Sequence, residues 1–412
     1  MVLTTLTFAY DFPPANHSGM GTHIHELVRG LGAAGRTGHV LVPDSGPVDG
    51  LPPSPGVVVH RVPMSAETLS IDRADGSKTG ALLRSANHDL LGYAARLVED
   101  GLSVDLLHCH DFYFTPAALE LRRTLGVPLV STVHLAFDPM QRFWGHPIDR
   151  TIAALEREMA LRSDAVITVS RSMADLLSET HGVPSERLHV VYNGFDPAAF
   201  RAADEPLQAI RSRHRLPDGP LVLYAGRVSP MKGVLELVRS ARAVVRQRPE
   251  VHYLIAGVTP VIDRAYEGEI RAVLADDPLL ASRVRFLGRV DRSELAALYR
   301  VAALAVVPSA YEPFGYAATE AMASGVPVVA SSSGGLAEVV DEGCGARVPW
   351  NEDATGARSV DVDALALAQT RLLADPVAAA AMGRRGAAMV AERFSLERMV
   401  RGTARVYDAV AS

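Results

Sequence analysis

The chain has 412 residues, 48% hydrophobic and 21% charged, enough apolar material for full cores and, at roughly 150 residues per domain, for two or three domains; disorder is excluded as its main theme. Its formal net charge is −6, and residues 1–200 carry 15 Lys and Arg against 22 Asp and Glu, a poor match to nucleic acid or to an anionic membrane. No run of about 18 apolar residues marks a membrane span, and residues 1–14 lack the basic start and cleavage site of a signal peptide, so a cytoplasmic protein without membrane insertion is expected.

From the N-terminus, short apolar runs alternate with stretches of helical periodicity. Strands are expected at Val2–Phe8, Gly38–Val42, Val57–Val62, Val104–Cys109, Pro128–Val133, Ala165–Val169 and His189–Tyr192. Helical stretches such as Thr22–Ala33, Ala81–Val98 and Ile152–Leu161 lie between them. Segments Asp44–Pro55 and Arg73–Gly80, rich in Gly, Pro, Ser and Asp, read as surface loops. Ser170 stands where an apolar run gives way to a periodic stretch, which suits a helix N-cap. Cys109 and Cys344 are the two cysteines, too few for a disulfide framework, and are expected to be packing residues.

After Asn193-Gly194-Phe195-Asp196-Pro197 a polar stretch runs through Pro220, and then a second series of apolar runs begins. These are Leu221–Tyr224, Val251–Ala256, Val284–Leu287, Leu304–Val307, Pro327–Ala330 and Ala346–Pro349. The stretch Ser395–Ala411 is helical in pattern. Strands alternating with helices predict parallel sheets covered on both faces. The expected fold is therefore α/β, with two doubly wound, Rossmann-like domains over residues 1–200 and 201–394 and a last helix, about 395–412, able to pack back on the first. Ligand crevices of such domains open at the carboxyl ends of the strands, so a cleft between the two facing domains is the expected active site.

Two segments at such strand ends could carry chemistry. Glu312 and Glu320 flank a turn at Phe314-Gly315 and a helix expected to start near Tyr316. If the interval were wholly helical they would stand about 12 Å apart, too far for the carboxylate pair of a glycosidase, which needs roughly 5 to 9.5 Å. That spacing suits a long ligand with negative charge facing the helix N-terminus, although solvated glutamates on a surface helix would look the same. Arg227, at the end of a strand, and Lys232, where the next helix begins, are two cations suited to a diphosphate. Lys232 is one of only two lysines, with Lys78. The sequence His108-Cys109-His110-Asp111 resembles a metal cluster superficially, but no further ligand follows at a known spacing, so a crevice-lining role without metal is expected. Asp361 is expected to cap a helix, and Gly334-Gly335 forms a turn opening another. No nucleophile elbow, Walker loop or Cys–His pair in catalytic context occurs, which favours catalysis by electrostatics and positioning.

Taken in order, Ser18-Gly19-Met20-Gly21-Thr22-His23, Ser131-Thr132-Val133-His134, Val169-Ser170, Val191-Tyr192-Asn193-Gly194-Phe195-Asp196, Gly226-Arg227, Lys232-Gly233 and Glu312-Pro313-Phe314-Gly315 with Glu320 resemble the retaining glycosyltransferases of family 4, two-domain GT-B enzymes that use nucleotide-activated sugars. The resemblance implies a hexosyltransferase acting without metal or other cofactor. It assigns Arg227 and Lys232 to the donor diphosphate, Glu320 to the ribose hydroxyls and Glu312 to the transferred sugar, helped by backbone N–H groups around Phe314, Gly315 and Tyr316. Gly19 and Gly21, taken to lie in a loop before the first helix, would let the backbone approach the donor, and His134 would reach its sugar or phosphate. The turn Gly257-Val258-Thr259-Pro260 departs from the Gly-x-Gly-Pro often found there.

The expected partners are a nucleoside diphosphate sugar, with a UDP-sugar favoured, and a small-molecule or glycan acceptor docking on the first domain. Asp11, Asp111 and Asp138 would suit a cationic acceptor such as an aminocyclitol, whereas the aromatic residues within Ala136–Gly145 would stack equally well on a glucan end. Two other readings are a nucleotide-sugar epimerase or hydrolase on the same architecture, and a catalytically silent protein that binds sugar nucleotides.

Overall fold

A computed structural model of the chain describes residues 3–13, 19–44, 54–70, 79–137, 149–197, 200, 206–354 and 357–412. The described residues divide into two compact units. Unit 1 holds those up to Gly194 together with Leu396–Ser412, and unit 2 runs from Phe195 to Ser395.

Unit 1 is built on strands β1 (Thr4–Phe8), β2 (Thr37–Pro43), β3 (Val57–Val62), β4 (Leu106–His110), β5 (Leu129–Val133), β6 (Ala165–Thr168) and β7 (Leu188–Val190). They form one sheet in the order β3-β2-β1-β4-β5-β6-β7, with every neighbouring pair parallel. Every residue of β4, β5 and β6 is buried, which is why these strands read as apolar runs rather than alternating ones. The helix Gly19–Ala33 begins three residues earlier than its periodicity indicates, because glycines weaken the pattern without preventing the turn. Thr79 and Gly80, expected in a loop, open the helix Thr79–Glu99; residues 73–78 and 45–53 of the two expected loops lie outside the described residues.

Unit 2 repeats the design with β8 (Leu221–Ala225), β9 (His252–Ala256), β10 (Val284–Gly288), β11 (Leu304–Val307), β12 (Val328–Ser331) and β13 (Gly345–Val348). Their order is β10-β9-β8-β11-β12-β13, again all parallel. A short antiparallel hairpin, β14 (Trp350–Glu352) and β15 (Arg358–Val360), was not legible in the sequence. In both sheets the strand order reverses beside the first strand, between β1 and β4 and between β8 and β11, the place where doubly wound sheets open a crevice.

Caps fall where the side chains predict them. Ser170 Oγ accepts the Met173 N–H at 3.2 Å and Asp361 Oδ1 accepts the Ala364 N–H at 2.9 Å. Cys109 and Cys344 are buried free thiols. The helix Leu396–Ala411 belongs to unit 1, where Met399, Val400, Val406 and Tyr407 join Leu27, Leu31, Leu106, Val130 and Ile167 in one apolar cluster. Burial of roughly 1.5–3 kcal/mol per large apolar side chain makes those four residues a firm anchor.

Candidate active site

At the reversal point of unit 2, Gly226 and Arg227 follow β8, and the loop carrying Glu312 follows β11. Lys232 ends a 3-10 turn, Pro230–Lys232, and Gly233 caps it at φ 66°. A Cβ on Gly233 would stand 2.0 Å from the Pro308 carbonyl oxygen, so only glycine lets this turn lie against the Glu312 loop. The Ala310 N–H donates to the Met231 carbonyl at 2.8 Å, which locks the same pair together. From the other side the Gly335 N–H donates to the Glu312 carbonyl at 2.8 Å, and the hydroxyls of Ser331 and Ser333 donate to the carbonyls of Ser309 and Ala310, each at 2.5 Å. The glycine turn Gly334-Gly335 thus supports the loop from behind.

The result is a close contact between two expected site residues 80 positions apart: Lys232 Nζ lies 2.5 Å from Glu312 Oε2. Both side chains are 16% exposed, and Ser309 Oγ donates to the same carboxylate oxygen at 3.2 Å. Arg227 is exposed, and its backbone carbonyl accepts from the buried Tyr224 hydroxyl at 2.6 Å. Phe314 is buried against Phe394, their rings 5.5 Å apart. Gly315, at φ 115°, starts the helix Tyr316–Ala323, so the backbone of Phe314, Gly315 and Tyr316 forms a helix N-terminus beside the ion pair. Glu320 lies on this helix, and burial pushes its carboxyl up to about 7, with Arg292 pulling the other way.

Unit 1 brings histidines together at its own reversal point. Gly19 and Gly21 lie in the first turn of the helix Gly19–Ala33 rather than in a loop, which places them at a helix N-terminus; Ser18 lies outside the described residues. His23, from the same helix, packs edge-on against His134, their ring centres 4.5 Å apart. His110, at the end of β4, meets His134 Nε2 through its Nδ1 at 3.0 Å. The His134 backbone N–H donates to Asp111 Oδ1 at 2.7 Å, and Asp111 takes the unusual φ of 52° to do so. Burial pushes the Asp111 carboxyl up to about 8, against the pull of the His134 N–H.

Asp11 and Asp111 are 6% and 5% exposed, so neither is a surface charge of the kind that would steer a cationic acceptor. Asp111 instead fixes the backbone of His134. Asp138 lies outside the described residues, as does most of the aromatic stretch Ala136–Gly145.

Burial holds the whole histidine group neutral: the ring of His23 is lowered to about 4 and that of His108 to about 3, and those of His110 and His134 fall well below the ordinary value. His108 is buried beside this group, with both ring nitrogens engaged. Thr132 Oγ1 lies 2.8 Å from its Nε2 and the Tyr407 hydroxyl 2.7 Å from its Nδ1. His23, by contrast, was not singled out as a site residue from the sequence, because its partners His110, His134 and Asn193 come from distant strands and loops.

Among the described residues no helix is long and apolar enough to cross a membrane. Residues 17–199 match the model of Glycosyltransferase Family 4, and residues 208–389 match that of Glycosyl transferases group 1. Glycogen synthase of Mycobacterium tuberculosis is 31% identical, over 98% of this chain and 94% of its own. A D-inositol 3-phosphate glycosyltransferase of Thermobispora bispora is 31% identical, over 94% of this chain and 89% of its own. The solved structure of sucrose-phosphate synthase from Thermosynechococcus elongatus superposes with a TM-score of 0.81 at 27% identity, covering 99% of this chain and 98% of that one. With relatives of this kind aligned along nearly its whole length and a parallel sheet in each unit, the chain belongs to glycosyltransferase family 4 and is a glycosyltransferase of the GT-B fold.

Proposed function

We propose that this glycosyltransferase moves a hexosyl group from a nucleoside diphosphate sugar, a UDP-sugar before others, to an acceptor hydroxyl with retention of anomeric configuration and without a metal ion. The observation that carries the reading is the 2.5 Å contact of Lys232 with Glu312. A compact cation suited to phosphate and a carboxylate able to accept two hydroxyl hydrogen bonds stand side by side, as the junction between diphosphate and sugar requires. When the anomeric C–O bond breaks, its electron pair goes to the diphosphate. Arg227, Lys232 and the N-terminus of the helix Tyr316–Ala323 oppose the growing negative charge from positions they already hold. Glu312 holds the transferred sugar and Glu320 the ribose hydroxyls. The leaving phosphate takes the proton of the acceptor hydroxyl on the same face of the sugar, which accounts for retention without a covalent intermediate.

Unit 2, residues 195–395, is assigned to the donor and unit 1 to the acceptor, with Gly19, Gly21 and His134 as its contributions to donor sugar or phosphate. The acceptor is a carbohydrate or polyol hydroxyl, a class supported by relatives named for glycogen, inositol phosphate and sucrose phosphate. Mass spectrometry of the purified protein with UDP-glucose, UDP-N-acetylglucosamine, ADP-glucose and GDP-mannose, each against glucan, inositol phosphate and aminocyclitol acceptors, tests this. A glycosylated product is expected; nucleotide release with no product under any acceptor would replace the reading by a hydrolase or epimerase.

A further inference from the structure

We propose that His23, His110 and His134 form a binding site in unit 1 for one borderline divalent ion, of which zinc is the representative. One ring nitrogen from each residue lies within 4.8 Å of the other two. Two nitrogens of the group, His23 Nε2 and His110 Nε2, are buried and have no hydrogen-bond partner among the described residues, in rings that are 1% and 0% exposed. A buried polar nitrogen left without a partner is costly. With the His110 hydrogen on Nδ1, where it donates to His134 Nε2 at 3.0 Å, both bare nitrogens would be satisfied by an ion, and His134 would join them by turning its Nε2 lone pair from the His110 N–H to the metal, at the expense of that hydrogen bond.

The tautomer of His23 supports this. Its Nδ1 meets Asn193 Oδ1 at 2.7 Å; an amide oxygen only accepts, so Nδ1 carries the hydrogen and Nε2 presents a bare lone pair. An imidazole whose far N–H is tied to a carbonyl oxygen has the outer support usual for a metal ligand. His108, the fourth ring, is excluded because both its nitrogens are already engaged. Burial keeps His23, His110 and His134 neutral, the form that coordinates. Three imidazoles and no oxygen ligand suit zinc, nickel or copper and not magnesium or calcium. Zn–N bonds of about 2.0–2.1 Å in a tetrahedron set nitrogens about 3.3 Å apart, so from separations within 4.8 Å no pair need close by more than about 1.5 Å. His134 is partly exposed, which leaves a side from which the ion enters and a fourth position for water.

Occupation would take a lone pair from His134. Zinc is therefore an inhibitor of transfer, a consequence that rests on the donor contact proposed above for His134, whereas the site itself does not. The test is titration of the untagged full-length protein with Co²⁺, followed by the visible absorption of tetrahedral Co²⁺ and its displacement by Zn²⁺. One equivalent is expected, with the bands lost in His23→Gln and in His110→Gln while circular dichroism is unchanged. Asn193→Leu keeps all three rings but releases the His23 tautomer, and is expected to weaken binding 10- to 100-fold. A double His39→Gln, His60→Gln variant, which removes another close imidazole pair of unit 1, at 2.8 Å, is expected to bind fully. No tetrahedral bands in the wild type, or bands that persist in folded His110→Gln, would overturn the site. Full bands with no zinc inhibition would overturn the assignment of His134 and leave the site standing.

Discussion

An ammonium and a carboxylate 2.5 Å apart satisfy each other until a ligand separates them; in the proposed reading, Lys232 and Glu312 hold charge in place for a donor that inserts its phosphate and sugar between them. Lys232→Ala or Arg227→Ala is expected to lower turnover by roughly 10² to 10³, the loss typical of one preorganised charge-stabilising donor; near-normal steady-state rates in both would remove the diphosphate assignment. Glu312→Ala is expected to damage transfer while leaving the affinity for free nucleotide intact. Glu320 adds a pH dependence. Its carboxyl, raised to about 7 by burial, is mostly protonated at pH 6 and mostly ionised at pH 8, and only the ionised form accepts with both oxygens. Calorimetric titration with UDP is therefore expected to show tighter binding as pH rises through 7, by up to about tenfold per unit below it. Glu320→Gln serves as the reference, because it keeps the ionisation of the nucleotide phosphate and removes that of the side chain; an unchanged slope in this variant would contradict the ribose contact.

At the scale of elements, the turn Pro230–Lys232 and the loop after β11 form one piece, and Gly233 is the joint. Gly233→Ala would force a Cβ to within 2.0 Å of the Pro308 carbonyl in a backbone region disfavoured for L-residues. The expected outcome is a destabilisation of unit 2 by roughly 1–3 kcal/mol, read by urea denaturation, with a turnover loss beyond it because Glu312 moves with the loop. All thirteen parallel strands could be read from the sequence: central ones such as β4, β5, β6, β11 and β12, buried throughout, are continuous apolar runs, and the more exposed β3, β7 and β10 still carry short β-branched or apolar runs. The β14–β15 hairpin could not, because it holds through side chains rather than pattern: the Arg358 guanidinium lies over the Trp350 ring, 3.6 Å from its centre, and 2.9 Å from Glu352. In the same way Arg227, Lys232, Glu312 and Glu320 were legible as chemistry-bearing types at strand ends. The union of His23 with His110, His134 and Asn193 was not, because it is made by sheet order; β1 and β4 become neighbours only after the chain has built β2, β3 and the long helix Thr79–Glu99.

Over the whole molecule the two units carry opposite responses to acid. In unit 1, burial lowers the rings of His23, His39, His60, His108, His110, His134 and His189. Above about pH 6.5 these rings are neutral folded or unfolded and cost nothing. As pH falls below that value the unfolded chain takes up protons that the folded unit refuses, and stability drops until the folded rings also titrate, near 4 for His23. Asp111, raised to about 8, acts in the opposite direction, but it is one group against seven. In unit 2 the carboxyls of Glu236 and Glu320 are raised by burial; they bind protons more tightly folded than unfolded, so mild acidification favours that fold. His252, lowered by burial, opposes them, and Glu250, Glu267 and Asp291, lowered by their hydrogen bonds, do so only at lower pH, where the unfolded carboxyls take up protons. Heating at pH 7.5 and at pH 5.5 with brief proteolysis and mapping of the fragments separates the two. Cleavage within β1–β7 is expected to begin at a distinctly lower temperature at pH 5.5, while cleavage within β8–β13 shifts little or rises. Equal shifts in both units would mean that the buried histidines of unit 1 are not held neutral by the fold. Because the folded rings stay neutral well below pH 6.5, the acid limit of transfer on the unit 1 side is expected to follow the unfolding of that unit rather than protonation of its folded imidazoles.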